Sequence, residues 1–295
     1  MRALTGIALT TFRETTRQPF YYLLLAGGAA ALAVTLWLPL FTFQHDTAMY
    51  KDLGLSFVLV FTMLVGLLAA ATGVAREVED KTAQTVLAKA GARWTFILAK
   101  YLGAMATVTL ALAALGAVLI GCVYYRVELD AGVLERPYMI GGIGEKVEAF
   151  WWRRVHQALT VLPGLALVGL QVGVLSAVAT ALSARFSVAA SVALVLGVFV
   201  VGHLTVFLEQ AVRTAAAGTS VAAEIVLTLV PFLEIFNLNR YLSHTMLTPF
   251  DPGSGGSEAW GEVWAYVGLA ALYAAGYAAA ALAVGALMFR RRPLS

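Results

Sequence analysis

Glu77 and Glu79 are the first residues to weigh for chemistry, because two carboxylates close in sequence can divide general-acid and general-base work between them. No His or Ser lies near them in sequence to complete a catalytic set, and they read instead as the solvated start of a charged helix. His45, His156, His203 and His244 are scattered, with no HExxH and no pair at ligand spacing, so a zinc hydrolase is disfavoured. The run GGIGEK at 141–146 has the glycines of a phosphate loop but lacks the GK[ST] ending, and no other motif for ATP is present. The single Cys122 excludes an intrachain disulfide and a cysteine metal cluster, and serves as bulk in an apolar run. The chain is therefore read as no enzyme, with no catalytic residue, no metal site and no cofactor. Polar residues deep in apolar runs are few: Gln171, His203 and the Glu209–Gln210 pair. A lone His on an apolar helix is more often a satisfied packing residue than part of an ion path, so ion-coupled transport is weakly supported.

These residues are set in a membrane. Of 295 residues 60% are hydrophobic and 13% charged, and mean hydropathy is +0.82, whereas soluble domains carry about 25% charged residues. A hydrocarbon core of roughly 30 Å takes about 20 apolar residues in a helix. Six runs meet that length, near 20–41, 54–75, 95–124, 158–182, 187–208 and 263–289. The expected fold is all-α: one polytopic domain over 1–295, with no soluble domain and no repeat. Strands of a barrel are not visible, and lipid offers exposed backbone no partner.

Lys and Arg near the span ends set orientation. With a cytoplasmic N-terminus the inner side holds the dense set from Arg2, Arg13 and Arg17 through Arg76, Lys81, Lys89, Arg93, Lys100 and Arg185 to Arg290–Arg292. Lys51, Arg126, Arg136, Lys146, Arg153, Arg154, Arg213 and Arg240 fall in outer loops, more thinly spread. Both termini are expected in the cytoplasm. The net charge of +3 reports this bias rather than a nucleic-acid partner. The first apolar run starts too late and is too long for a cleaved signal peptide, so it is read as retained.

Between the spans, residues 1–18 suit a helix lying at the inner interface until Pro19 turns the chain inward. Two long outer segments follow, 125–157 and 209–262. The first carries GEKVEAFWWRRVHQ at 144–157, an interfacial helix anchored by tryptophan. The second carries 221–244, interrupted by Glu224, Pro231 and Glu234, which reads as a broken or re-entrant helix packed against protein. DPGSGGSEAW at 251–260 reads as a linker, and SARFS at 183–187 as a tight inner turn.

The most informative stretch is 77–90. Glu77, Glu79 and Asp80 would occupy the first turn of a helix, Lys89 the last, and Gly91 a stop. Ala83, Val86, Leu87 and Ala90 follow i, i+3, i+4, i+7 spacing and make one apolar stripe. Such a helix can lie on lipid head groups or dock in a protein. Three acids at one end match anionic inner-leaflet lipid poorly and a basic protein cleft well.

REVEDKTAQTVLAKAGARWTFILAKYLG at 76–103 resembles the signature that follows the second span of ABC type-2 permeases, in particular those related to the permease of the nitrous-oxide-reductase copper-maturation transporter. PFLEIFNLNRY at 231–241 is similar to the Pro-x-Leu-Glu-x-Phe-Asn segment these permeases carry before their last span. Ala90 stands where the family has Pro, and the 125–157 loop is longer than the family's. The resemblance implies a permease subunit of an ATP-binding-cassette exporter in a bacterial-type inner membrane, a homodimer served by two copies of a separate P-loop ATPase. It implies that 77–90 is the coupling helix, with Glu77, Glu79, Asp80 and Lys81 as polar contacts and Val86 and Leu87 as apolar anchor. Arg93 and Trp94 would pass the motion to the third span. Pro231, Glu234, Phe236 and Asn237 would form an outer gate. The rival reading is an ATP-independent membrane carrier or assembly scaffold. No substrate is named by the sequence, though few deep polar residues favour a lipidic, peptidic or membrane-extracted molecule over a small ion.

Overall fold

A computed structural model describes residues 2–37, 46–79, 93–134, 151, 154–205, 230–237 and 256–290. The described elements are α1 (Arg2–Thr16), α2 (Pro19–Trp37), α3 (Asp46–Glu79), α4 (Arg93–Leu134), α5 (Leu162–Ser183), α6 (Val188–His203), the 3-10 turn η1 (Leu233–Phe236) and α7 (Gly256–Arg290). All are helical, and five helical stretches are long and apolar enough to cross a membrane: Pro19–Trp37, Thr47–Val74, Trp94–Val127, Arg154–Ser183 and Trp260–Met288.

Of the fifth expected span, 187–208, residues 206–208 lie outside the described residues. The described part is the 16-residue helix α6, about 24 Å long at 1.5 Å per residue, with a bend at Leu204. Its last turn is closed by Leu204 N–H donating to the carbonyls of Val200 and Val201. Two other spans are longer than the apolar runs predict. α3 has 34 residues and α4 has 42, about 51 and 63 Å, so Lys51 and Arg126 belong to helices rather than to loops. The expected linker at 251–260 is shorter too, because helix α7 already begins at Gly256.

Small residues bring the helices together, as membrane helices require where lipid removes the hydrophobic drive to associate. A Cβ built on Gly66 of α3 would lie 2.6 Å from Ser176 Oγ of α5 and 3.0 Å from Val108 of α4. At Gly285 of α7 it would lie 2.8 Å from Cα of Ala181 in α5, backbone against backbone. α5 is consequently the central helix, buried along most of its length, including Gln171, Ser176, Thr180 and Ser183. Thr180 and Ser183 hydroxyls donate to the carbonyls of Ser176 and Thr180 in the same helix, at 2.8 and 3.0 Å. Outward-facing positions are apolar: Leu23 and Trp37 on α2, and Leu269 and Leu272 on α7, are among the most exposed large side chains.

These contacts give the bundle two ends. One gathers α1, the last turns of α3, α5 and α7, and the start of α4. The backbone carbonyl of Ala8 and the side chain of Thr11 press on Gly103 of α4, each 2.7 Å from where a Cβ would sit, and Thr11 also reaches Gly73 of α3. The opposite end gathers the end of α2, the start of α3, the end of α4 and the helical stretch 154–161 that leads into α5.

Candidate functional site

At the α1 end, Glu77 and Glu79 lie in the closing turns of α3, a continuation of the second span rather than the opening of a separate helix. Asp80, Lys81, Val86 and Leu87, and with them most of the expected coupling helix, lie outside the described residues. Arg93 opens α4 and Trp94 beside it is exposed. Behind them Lys100 is buried with its ammonium 5.8 Å from the centroid of the Phe96 ring.

The 231–237 segment is irregular backbone packed against protein. Leu233 and Phe236 are buried, at 0% and 2% exposure, Pro231 is buried, Glu234 is half-buried and Asn237 exposed. Gly202 on α6 admits this segment, since a Cβ there would stand 2.8 Å from Leu233 and 2.9 Å from the carbonyl of Pro231. α7 supplies what an α-helical ladder would have supplied to the backbone. The N–H of Phe232 donates to Tyr273 Oη at 2.8 Å, and Tyr266 Oη donates to the carbonyl of Ile235 at 2.7 Å. The Phe236 and Tyr273 rings lie 6.0 Å apart, tilted by 51°. Of the four candidate gate residues, Pro231 and Phe236 thus join the core and Asn237 faces outward.

The structure also pairs two polar residues that the sequence left apart. Gln171 of α5 is 3% exposed, and its Nε2 lies 3.2 Å from Nε2 of His203, the last residue of α6. His203 Nδ1 is 2.9 Å from the carbonyl of Phe199, which can only accept, so Nδ1 carries the proton. In the neutral ring Nε2 is then the acceptor, and Gln171 donates to it through its amide NH2. The Phe199 and His203 rings lie 4.4 Å apart.

The opposite end holds contacts that the sequence did not announce. Lys51, 5% exposed, donates to Gln157 Oε1 and, at 2.8 Å, to Thr160 Oγ1. Arg126 Nη1 donates at 2.8 Å to the carbonyl of Leu36, in the last turn of α2, where helix carbonyls lack intrahelical donors. Arg154 stands 3.9 Å from the centroid of the Tyr124 ring and donates to its carbonyl. One signal for the α7 contacts was present: Tyr266, Tyr273 and Tyr277 recur at i, i+7, i+11, one face of a helix.

Among the described residues no group of three or more His, Cys, Asp or Glu is placed to hold a metal ion. Compared with known families and with curated proteins, the chain matches no family model and no curated relative.

Proposed function

We propose that this chain is the membrane-spanning subunit of an ATP-binding-cassette exporter, acting as a dimer of identical chains in a bacterial-type inner membrane. Each copy would be served by a separate P-loop ATPase. The observation that carries the reading is the placing of the 76–103 signature. It runs from the last turns of α3 into the first turns of α4, at the end of the bundle where α1 also packs. Residues 76–79 close one long helix and 93–103 open the next, so a push delivered there by domain closure on a partner would displace both helices as rigid bodies. The second motif, 231–237, supports the same reading, because its buried turn packs against α6 and α7, where it would gate the exit of cargo.

On this reading the α1 end faces the cytoplasm, both termini lie there, and the acidic residues 77–80 meet the ATPase. The decisive experiment is affinity purification of the tagged chain in mild detergent, with mass identification of partners and an ATPase assay on the eluate. A stoichiometric P-loop ATPase is the expected result. A clean homo-oligomer with no ATPase would overturn the proposal in favour of an ATP-independent carrier or scaffold.

A further inference from the structure

We propose that Arg13 and Arg17 of α1 hold the phosphodiester headgroup of an anionic lipid, so that this helix selects acidic over zwitterionic bilayer. The inference concerns a lipid partner and does not depend on the exporter reading.

Thr11 fixes the height of α1 on the bundle. It presses on Gly103 of α4 and reaches Gly73 of α3, and Gly73 is the last residue but one of the apolar stretch Thr47–Val74. α1 therefore crosses the bundle at the level where the second span ends. Its inward side is occupied. Thr11 and Thr15 are buried, at 1% and 2% exposure, and their hydroxyls donate to the carbonyls of Ile7 and Thr11, each at 2.9 Å.

The outward side is ordered by the helical period. Successive residues stand about 100° apart, so Leu9, Arg13 and Arg17 follow one another along a ridge turned away from Thr11 and Thr15. The last helical turn reaches Arg17, whose N–H donates to the carbonyl of Arg13 at 3.3 Å. On one side of the ridge Phe12 is half-buried and Leu9 is 48% exposed, an apolar flank. On the other side Thr10 and Glu14 are exposed. Guanidinium groups between an apolar and a polar flank suit a helix lying in the headgroup plane, with the apolar flank toward the acyl chains.

Charge names the occupant. Arg13 and Arg17 are exposed, and neither guanidinium has an ion-pair or hydrogen-bond partner among the described residues, although Glu14, the one acid of α1, is close in sequence to both. Like charges one helical turn apart repel, and an anion seated between them removes that repulsion. Guanidinium donors match phosphate oxygens in geometry and charge. A zwitterionic lipid brings its own ammonium beside the phosphate, whereas an anionic lipid leaves the phosphate charge to the two arginines.

The test titrates the full chain, in dodecylmaltoside and without any ATPase, with fluorescent phosphatidylglycerol and with phosphatidylcholine of the same acyl chains. Phosphatidylglycerol is expected to bind saturably and at least about tenfold more tightly, with an advantage that shrinks as salt is raised. Arg13→Gln and Arg17→Gln should each weaken phosphatidylglycerol about fivefold and leave phosphatidylcholine unchanged, whereas Arg13→Lys, which keeps the charge, should preserve the preference. Arg185, exposed in the turn between α5 and α6, is the control for diffuse positive charge, and Arg185→Gln should leave phosphatidylglycerol affinity within about twofold. All three arginines are exposed, so the variants are expected to elute monodisperse with the wild-type unfolding midpoint. Equal affinity for the two lipids, unchanged phosphatidylglycerol binding in either glutamine variant of α1, or an equal loss in Arg185→Gln would overturn the proposal. Loss of an ATPase partner in Arg13→Gln with lipid preference intact would also overturn it, and would assign the ridge to a protein.

Discussion

Tyr273 accepts a hydrogen bond from the backbone N–H of Phe232 at 2.8 Å, and through it α7 holds a stretch of non-helical chain against the bundle. Tyr273→Phe keeps the ring beside Phe236 and deletes only the oxygen. The freed N–H loses its protein partner at an exposed position, so the variant should lose about 0.5–1.5 kcal/mol. Thermal unfolding in detergent checks this: a lowered midpoint is expected, and a midpoint equal to the wild type would mean that the 231–237 segment is held by its apolar side chains alone.

Two glycines of α7 should respond oppositely to a side chain. Gly285 meets the backbone of Ala181 at a built Cβ distance of 2.8 Å, whereas a Cβ on Gly276 meets nothing within 4 Å. Backbone cannot rotate aside, so Gly285→Val should separate α5 from α7 and cost about 1–3 kcal/mol or more. Gly276→Ala should stabilise by up to about 1 kcal/mol through helix propensity. Monodispersity and midpoint, measured side by side, check both signs.

The buried Lys51 predicts an asymmetry between its two sides. Gln157→Leu takes away one of its two acceptors and leaves an ammonium poorly solvated inside protein, with a loss of about 3 kcal/mol expected. Lys51→Met fills similar space without a charge, and Thr160 Oγ1 already has the carbonyl of Gln157 to donate to, at 2.8 Å. That variant should cost less than half as much. Comparable losses in denaturant-based stability for the two variants would contradict a charged Lys51.

Much of this architecture was legible in the residues, and the misreadings have physical causes. Long apolar runs place spans reliably because the bilayer demands length and composition together. Helix ends were misjudged at Lys51 and Arg126, where hydropathy falls but the backbone stays helical because each cation finds acceptors on a neighbouring helix. The expected 187–208 span is described only as far as Thr205, with the chain bending at Leu204 after α6. Gln171 and His203 are 32 residues apart and nearly symmetric about the tight 184–187 turn, so their meeting was readable once that turn was taken to fold α5 and α6 into a hairpin. The tyrosine partners of 231–237 were not readable as such, since nothing local says which helix an irregular segment will lean on.

Glu79 ends α3 and Asp80 follows it, which sets a local preference against a functional one. The C-terminal end of a helix carries partial negative charge, and acidic side chains there are disfavoured by about 0.3–1 kcal/mol. Reversing both to Lys should therefore leave the isolated protein as stable as the wild type or slightly more so. If these acids meet a basic cleft on an ATPase, the same change should weaken that partner at least about tenfold, roughly 1.4 kcal/mol, and the remaining affinity should lose its salt dependence. Unfolding midpoints of the purified protein and retention of any ATPase at low and high salt separate the two effects. Opposite signs support docking through this segment. Unchanged ATPase retention in a variant of normal stability would remove the acidic residues from the coupling contact and leave the apolar pair Val86 and Leu87 to carry it.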